Sequence, residues 1–250
     1  MLALEVALLT DRGGRNYNED ACGHWHSERH LCCVLADGAG GHGGGDIASK
    51  LAVQELIGRF SRQPANDGAA LGALVRQTND ALIGQRVPGT PRADMHSTAV
   101  CLVIDFVNHH AHWAHAGDSR MYWLRAGRVH QRTRDHSLVQ ALVDAGVMTE
   151  DQMQGHPKRS ELRSALGIPA EQLVVSSAEA SDAVQPGDVF MLCTDGLWEY
   201  IADDVLERTL AASASPRVWL DALSAEVVAA ASHKASHDNF SALVVWTSPA

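Results

Sequence analysis

Two helical patterns stand back to back in the first third of the chain, and they constrain the fold more than any other feature. Residues 46–60 place Ile47, Leu51, Leu56 and Phe60 near helical spacing, with Asp46 as the expected N-cap. Residues 68–83 repeat the pattern with Leu71, Leu74, Val75, Thr78 and Leu82. The link between them, "SRQPANDG", is polar and holds no strand. A βαβ crossover needs a strand there, so an alternating parallel α/β fold is excluded.

That exclusion settles the most conspicuous motif. "DGAGGHGGG" contains Gly38-Ala39-Gly40-Gly41-His42-Gly43, which satisfies G-x-G-x-x-G by letter. A dinucleotide site requires the next element to be a strand ending in an acid, and here it is a helix. A P-loop requires a lysine that the segment lacks. Attention moves to Asp37, which closes the apolar run "HLCCVLA" immediately before the glycines.

Other acids occupy equivalent places. Asp195-Gly196 closes "DVFMLC", Asp238-Asn239 precedes "FSALVVWT", and Glu19-Asp20 precedes "ACGHWHS". Carboxylates gathered at strand ends repel one another unless cations compensate them. An oxygen-only set suits Mg²⁺ or Mn²⁺ rather than Zn²⁺. The histidine-rich "NHHAHWAHAGD" fits zinc poorly, because strand alternation sends His112 and His115 to opposite faces.

The remaining elements read as strands over "EVALLT", "STAVCLVIDF", "AHWAHAGD", "RMYWLR", "RVHQR" and "QLVVSSAEA", the middle four forming an antiparallel meander. A short helix over "SLVQALVDAG" is closed by Gly146, and "SPRVWLDALSAEVVAAA" is a helix with Ser215 as N-cap and Pro216 at its first position. No repeat or linker splits the 250 residues. One domain over 1–250 is expected, with a polar, mobile insert at 146–166. A formal net charge of -10 argues against a nucleic-acid groove or an anionic membrane surface. The N-terminus lacks a basic n-region, no apolar run is long enough to span a bilayer, and five cysteines show no C-x-x-C pair. A cytoplasmic, reduced, monomeric protein is expected.

"RNYNED", "DGAGG", "HSTA", "GDSR", "RDHS", "CTDG" and "HDNFSALVV" occur in an order that resembles the metal-dependent serine/threonine phosphatases of type 2C (the PPM family), in a short form similar to its bacterial branch. The resemblance runs over about residues 10–246. It implies an α+β fold, a four-layer α-β-β-α sandwich of two antiparallel sheets flanked by helices. It implies two Mn²⁺ or Mg²⁺ ions and a third weaker one. Asp37 resembles the bridge between the two ions. Glu19 and the Gly38 carbonyl resemble ligands of one ion, and Asp195 and Asp238 resemble ligands of the other. Asp118 resembles the ligand of the third ion, Asp20 the acid that orients the attacking water, and Arg15 the arginine that grips phosphate through two oxygens.

Thr98, Asp135, His136 and Asn239 fall in motifs assigned to packing and loop positioning. In many relatives the residue two after the bridging aspartate is a histidine proposed as the general acid. Here it is Ala39, His42 is no automatic replacement, and the acid is unassigned. The implied function is hydrolysis of phosphoserine and phosphothreonine in proteins, opposing a bacterial kinase or acting on its targets. Segment 148–163 is the place to look for substrate selection. The rival readings are a two-metal phosphodiesterase and a catalytically silent regulatory domain of the same fold.

Overall fold

A computed structural model describes residues 2–39, 44–153, 156–180, 183–234 and 236–249. His42 and its neighbouring glycines 40, 41 and 43 lie outside the described residues. Eleven strands are assigned among the described residues: β1 (Leu2–Asp11), β2 (Asp20–His26), β3 (His30–Ala39), β4 (His96–Ser97), β5 (Ala99–Asp105), β6 (His110–Ala116), β7 (Arg120–Arg125), β8 (Arg128–Arg132), β9 (Ser176–Glu179), β10 (Val189–Cys193) and β11 (Phe240–Pro249). The helices are α1 (Gly45–Arg62), α2 (Gly68–Gly84), α3 (Leu138–Asp144), α4 (Asp195–Trp198), α5 (Asp203–Ala211) and α6 (Pro216–Ala231).

The strands form two antiparallel sheets, ordered β1-β11-β10-β7-β8 and β2-β3-β5-β6-β9, with β4 pairing only with β3. Strand alternation builds the layers. On β3, Leu31, Cys33 and Leu35 join Leu102, Trp113, Trp123, Phe190 and Leu243 in a core between the sheets. The intervening Cys32, Val34 and Ala36 face the other way, onto Ala52, Leu56, Phe60, Leu71 and Val75 of α1 and α2. In the other sheet, Met191, Cys193, Ala242 and Val244 face Leu206, Leu210, Trp219, Leu220 and Leu223 of α5 and α6. Three apolar interfaces therefore join four layers, the α-β-β-α sandwich. Both β3 and β5 are buried on two faces, which is why they read as near-continuous apolar runs.

Two local expectations are corrected. Asp46 does not cap α1: the N-cap is Gly44, with no side-chain bond, and Asp46 pairs with Lys50 one turn on. The free N–H of Gly45 bonds the Glu19 carboxylate instead, so the helix start is tied to a neighbouring segment. The meander is also not one ribbon. β5 and β6 lie in one sheet and β7 and β8 in the other, so the chain changes sheets at residues 117–119. Antiparallel pairing between neighbours is satisfied within either sheet, so spacing alone does not locate that crossing. α5 is a helix that the periodicity above does not assign.

The described part of 146–166 is held at several points. Met153 is buried, Leu162 bridges Ser137, and Leu166 bridges Ser97. Arg159 grips Glu199 with two hydrogen bonds, at 2.5 and 2.8 Å.

Candidate metal centre

The ends of β2, β3, β10 and β11 and the crossing from β6 to β7 meet at one edge of the sandwich. Asp20 opens β2 directly across from Asp37, near the end of β3. Odd-numbered residues of β3 face the space between the sheets, so Asp37 continues the row of Leu31, Cys33 and Leu35 past the apolar core. From the opposite sheet, Asp195 follows β10 and Asp238 precedes β11. Asp118 lies at the crossing. The structure thus brings together Glu19, Asp20, Asp37, Asp118, Asp195 and Asp238, six acids from five places in the sequence.

Glycine permits the close approach. A Cβ on Gly38 would lie 2.0 Å from the Gly45 carbonyl oxygen and 2.7 Å from that of Glu19. A Cβ on Gly196 would lie 1.9 Å from the Asn239 carbonyl oxygen. Both Asp-Gly pairs therefore end in a residue without a side chain because the next segment passes against its backbone. The Gly38 N–H donates to the Glu19 carbonyl at 3.1 Å, locking that approach.

Neutral hydrogen bonds hold the acids without neutralising them. The Asp37 N–H donates to Thr98 Oγ1 at 2.9 Å, Thr98 Oγ1 shares a 2.7 Å bond with Ser119 Oγ, and the Thr98 N–H donates to the Asp37 carbonyl at 2.8 Å. Thr194 Oγ1 donates to Asp20 Oδ2 at 3.0 Å and accepts from the Ser241 N–H at 3.0 Å. Asn239 Oδ1 accepts from the Glu19 N–H at 2.8 Å, while its amide donates to the carbonyls of Arg12 and Tyr17. Trp198 Nε1 donates to the Asp118 carbonyl at 2.9 Å. Thr194, Ser119 and Trp198 were not singled out by sequence. Thr194 stands inside the "CTDG" motif and Ser119 inside "GDSR", so their neighbours were the available signal.

Asp135 and His136 are placed beside this centre. Asp135 takes two hydrogen bonds from buried Arg120, each 2.8 Å, and the Arg120 guanidinium lies 3.5 Å from the centre of the Trp198 ring. His136 clamps Gly117: its N–H donates to the Gly117 carbonyl at 2.9 Å, and the Gly117 N–H donates to His136 Nδ1 at 3.2 Å. The histidines of the β6 run part ways: His112 Nε2 sits 3.2 Å from the Ala65 carbonyl, while His115 stacks on His136 at 4.5 Å and its Nε2 sits 2.9 Å from the Arg134 carbonyl.

Electrostatically the acids are strained. Burial, and then the charges of Asp20, Asp195 and Asp118, push Asp37 well above the usual carboxylate range. Burial and the charges of Asp195 and Asp135 do the same to Asp118. Burial lifts Asp20 to about 7, with Asp195 and Asp238 adding to it, although hydrogen bonds from Ser241 and Thr194 pull the other way. Asp195 rises to about 6 through burial, Glu199 and Asp238. Glu19 is raised by burial and by Asp46. Like charges this close ionise together only when cations are present.

The donor set fits divalent cations of the Mg²⁺ and Mn²⁺ type. Glu19 Oε1, Asp20 Oδ1 and Asp195 Oδ1 are buried oxygens without a hydrogen-bond partner. Such orphaned acceptors are costly unless something electropositive reaches them. Among the described residues no three acids, histidines or cysteines make a ready cage for one ion. A hard cation that keeps several waters needs only one or two carboxylates, so paired acids with free oxygens suffice.

Beside the acids lies a cavity of about 370 Å³ lined by Arg15, Arg159, Asp195, Lys234 and Asp238. Arg15 Nη2 donates to Asp238 Oδ2 at 2.8 Å, and both side chains are about half exposed. Lys234 Nζ donates to the Tyr200 hydroxyl at 2.8 Å. Three cationic side chains at an acidic cleft make a place for an anion that bridges to the carboxylates through cations.

Four layers with acids at the inter-sheet edge define a fold class shared with solved phosphatases. The catalytic domain of the serine/threonine phosphatase PstP, crystallised with two manganese ions, superposes with a TM-score of 0.80 at 29% identity, covering 100% of both chains. The family model "Protein phosphatase 2C" matches residues 12–234. The chain belongs to the protein phosphatase 2C family. Over 211 residues it is 35% identical to the serine/threonine phosphatase PstP of Mycobacterium tuberculosis, covering 84% of this chain and 39% of that protein. It thus spans about two fifths of that relative's length. It is 31% identical to the protein phosphatase PhpP of Streptococcus pneumoniae, covering 80% and 81%.

Proposed function

We propose that this chain removes phosphate from phosphoserine and phosphothreonine in proteins, using two divalent cations, Mn²⁺ or Mg²⁺. The observation that carries the reading is the convergence at one sheet edge of six acids, three of which keep an orphaned buried oxygen. We assign Asp37 to bridge the ions, Glu19 and the Gly38 carbonyl to one, Asp195 and Asp238 to the other, and Asp118 to a third. Bound there, the cations would supply Lewis acidity toward a phosphoryl oxygen and lower the pKa of an attacking water. Asp20, held by Thr194 on one oxygen and open on the other, orients that water. Arg15 turns from Asp238 into the adjoining cavity and grips two phosphate oxygens with its planar guanidinium. Thr98, Asp135, His136 and Asn239 fix the positions of these groups.

The wider setting follows from the same reading. Its substrates are phosphorylated proteins, the opposing enzyme is a serine/threonine kinase, and the chain acts as a single-domain monomer. Segment 148–163 is assigned to substrate selection, because Arg159 brings it to the rim of the cavity. Five free cysteines, four of them buried, support a reducing compartment such as the cytoplasm. Among the described residues no helix is long and apolar enough to cross a membrane.

The test is hydrolysis of a phosphothreonine peptide with Mn²⁺, with chelator, and by Asp37→Asn. Activity that survives the chelator or the substitution would sink the mechanism.

A further inference from the structure

Expelling a seryl or threonyl oxygen from phosphorus needs a proton on that oxygen, because an alkoxide is a poor leaving group. None of the residues assigned above supplies it. Two imidazoles border the site: His237 precedes Asp238 and lines the cavity at Arg15, and His96 comes from a distant part of the sequence to the other side of the acids. His96 of β4 is the cross-strand partner of Ala39, as Ser97 is of Gly38. Directly opposed residues project from the same face of an antiparallel pair, with Cβ atoms about 5 Å apart. Odd residues of β3 face the cleft, so Ala39 and His96 share the face that carries Asp37. Two residues along a strand advance about 6.6 Å, so the backbone of His96 stands about one such step along the strand from the position opposite Asp37.

The surroundings of His96 suit a proton donor. Asp94 Oδ1 lies 2.9 Å from His96 Nε2 and orients the ring, and Arg86 Nη2 lies 3.4 Å from the same nitrogen. Nδ1 makes no hydrogen bond among the described residues and lies beside Gly167, where a Cβ would come within 3.0 Å of it. The ring is about two-thirds buried. Ala39, Asp94, His96, Leu162, Arg163 and Ser164 line a cavity of about 520 Å³, distinct from the one at Arg15. Its size and mixed lining suit a peptide side chain and its flanking backbone. Ala39 adds no bulk between the imidazole and that space.

The geometry points to His96 as the general acid of the reaction, a catalytic residue delivered across the β3–β4 pair. The inference rests on the phosphatase reading above. The attacking water forms the new P–O bond and loses a proton to solvent. The ester P–O bond breaks, its electron pair passes to the seryl or threonyl Oγ, and that oxygen takes the proton from His96 Nδ1. Solvent then reprotonates the ring. Asp94 is a positioning residue that acts through Nε2.

The experiment compares a phosphoserine peptide, whose leaving group needs the proton, with p-nitrophenyl phosphate, whose leaving group needs it far less. With Mn²⁺ present, His96→Gln is expected to lower kcat on the peptide about 100-fold and on the aryl ester by about tenfold or less. Ala39→His in the His96→Gln background should recover a large part of the peptide rate. Equal loss on both substrates, no loss on the peptide, or a selective loss in His237→Gln instead would overturn the assignment. Should His96→Gln misfold, His96→Asn is measured on the same two substrates: a loss confined to the peptide supports the assignment, and a wild-type peptide rate overturns it. A wild-type enzyme that hydrolyses neither substrate overturns the phosphatase reading itself, and the inference with it.

Discussion

Two groups of buried acids in this molecule are treated in opposite ways. Asp135 and Asp188 each receive two hydrogen bonds from one arginine, Arg120 and Arg125, at 2.7–2.8 Å. Asp188 also accepts from the Gln185 N–H at 2.8 Å. These acids tie strands to loops and leave nothing to bind. At the sheet edge, Asp20, Asp37, Asp118 and Asp195 receive hydroxyls, backbone N–H groups and each other, with buried oxygens left over. Asp135 and Asp188 thus have an arginine of the chain's own, whereas Asp20, Asp37, Asp118 and Asp195 have no such bond among the described residues. Of the clustered acids, half-exposed Asp238 is paired with Arg15. A buried charge that lacks its partner is expensive, which is the physical ground for the proposal that external cations complete this group.

The largest expected contrast separates Asp37→Asn from Asp135→Asn. Asp37→Asn should lower phosphatase activity by about 1,000-fold or more, since bridging cations carry most of the charge stabilisation in such a reaction. In chelator the same variant should unfold at equal or higher urea concentration than wild type, because repulsion is relieved. Asp135→Asn should instead cost about 3 kcal/mol of stability by stranding Arg120 in the interior. A destabilised Asp37→Asn or a neutral Asp135→Asn, read by urea titration in chelator, would break the comparison.

Metal addition gives the next effect. Mn²⁺ at 100 times its dissociation constant should stabilise the wild-type protein by about 2.7 kcal/mol for a single site. Asp37→Asn with Asp195→Asn should abolish that gain, whereas Asp135→Asn should retain most of it. Calorimetric titration and thermal melts with and without Mn²⁺ check both arms.

Gly196→Ala tests the close approach that admits Asp195. Its Cβ would meet the Asn239 carbonyl oxygen, so about 2 kcal/mol of destabilisation is expected, together with weaker Mn²⁺ binding. Gly187→Ala is the control for the binding arm. It has open space around it and a positive φ, so it should strain the chain without altering Mn²⁺ affinity.

The smallest effect concerns pH. Burial, His115 and Arg163 lower His136 from its ordinary value to about 3. His136 therefore stays neutral in the folded chain while it charges in the unfolded one below its ordinary pKa. Its contribution is intact above about pH 6.5 and is lost as pH falls toward 3. The stability difference between wild type and His136→Asn should shrink by about 2 kcal/mol from pH 7.5 to pH 5. A difference that stays constant across that range would show that His136 does not set the pH response.

Much of the molecule was legible in order of sequence. β3 and β10 were readable because strands buried on both faces are apolar throughout, and α6 because Ser215 and Pro216 mark its start. Five of the six clustered acids were legible because they close or open an apolar run, while Asp118 entered only through the family resemblance. The supporting atoms were not. Thr98 and Asn239 entered only through the family's motifs, and Ser119 and Thr194 not at all, because all four act through hydrogen bonds to residues up to 227 positions away, which no local pattern encodes. Asp46 is not the cap because α1 starts one residue before it, at Gly45, whose N–H is taken by the Glu19 carboxylate from outside the helix.

By itself the sequence determined the kinds of element, their order, and the acids placed at strand ends, since hydrophobic period and turn chemistry are local properties. Only the tertiary structure decided which sheet each strand joins, where the chain crosses between sheets, and which imidazole stands opposite Ala39. Those choices depend on pairing across the fold, and a residue 57 positions away becomes a neighbour only when β3 and β4 align.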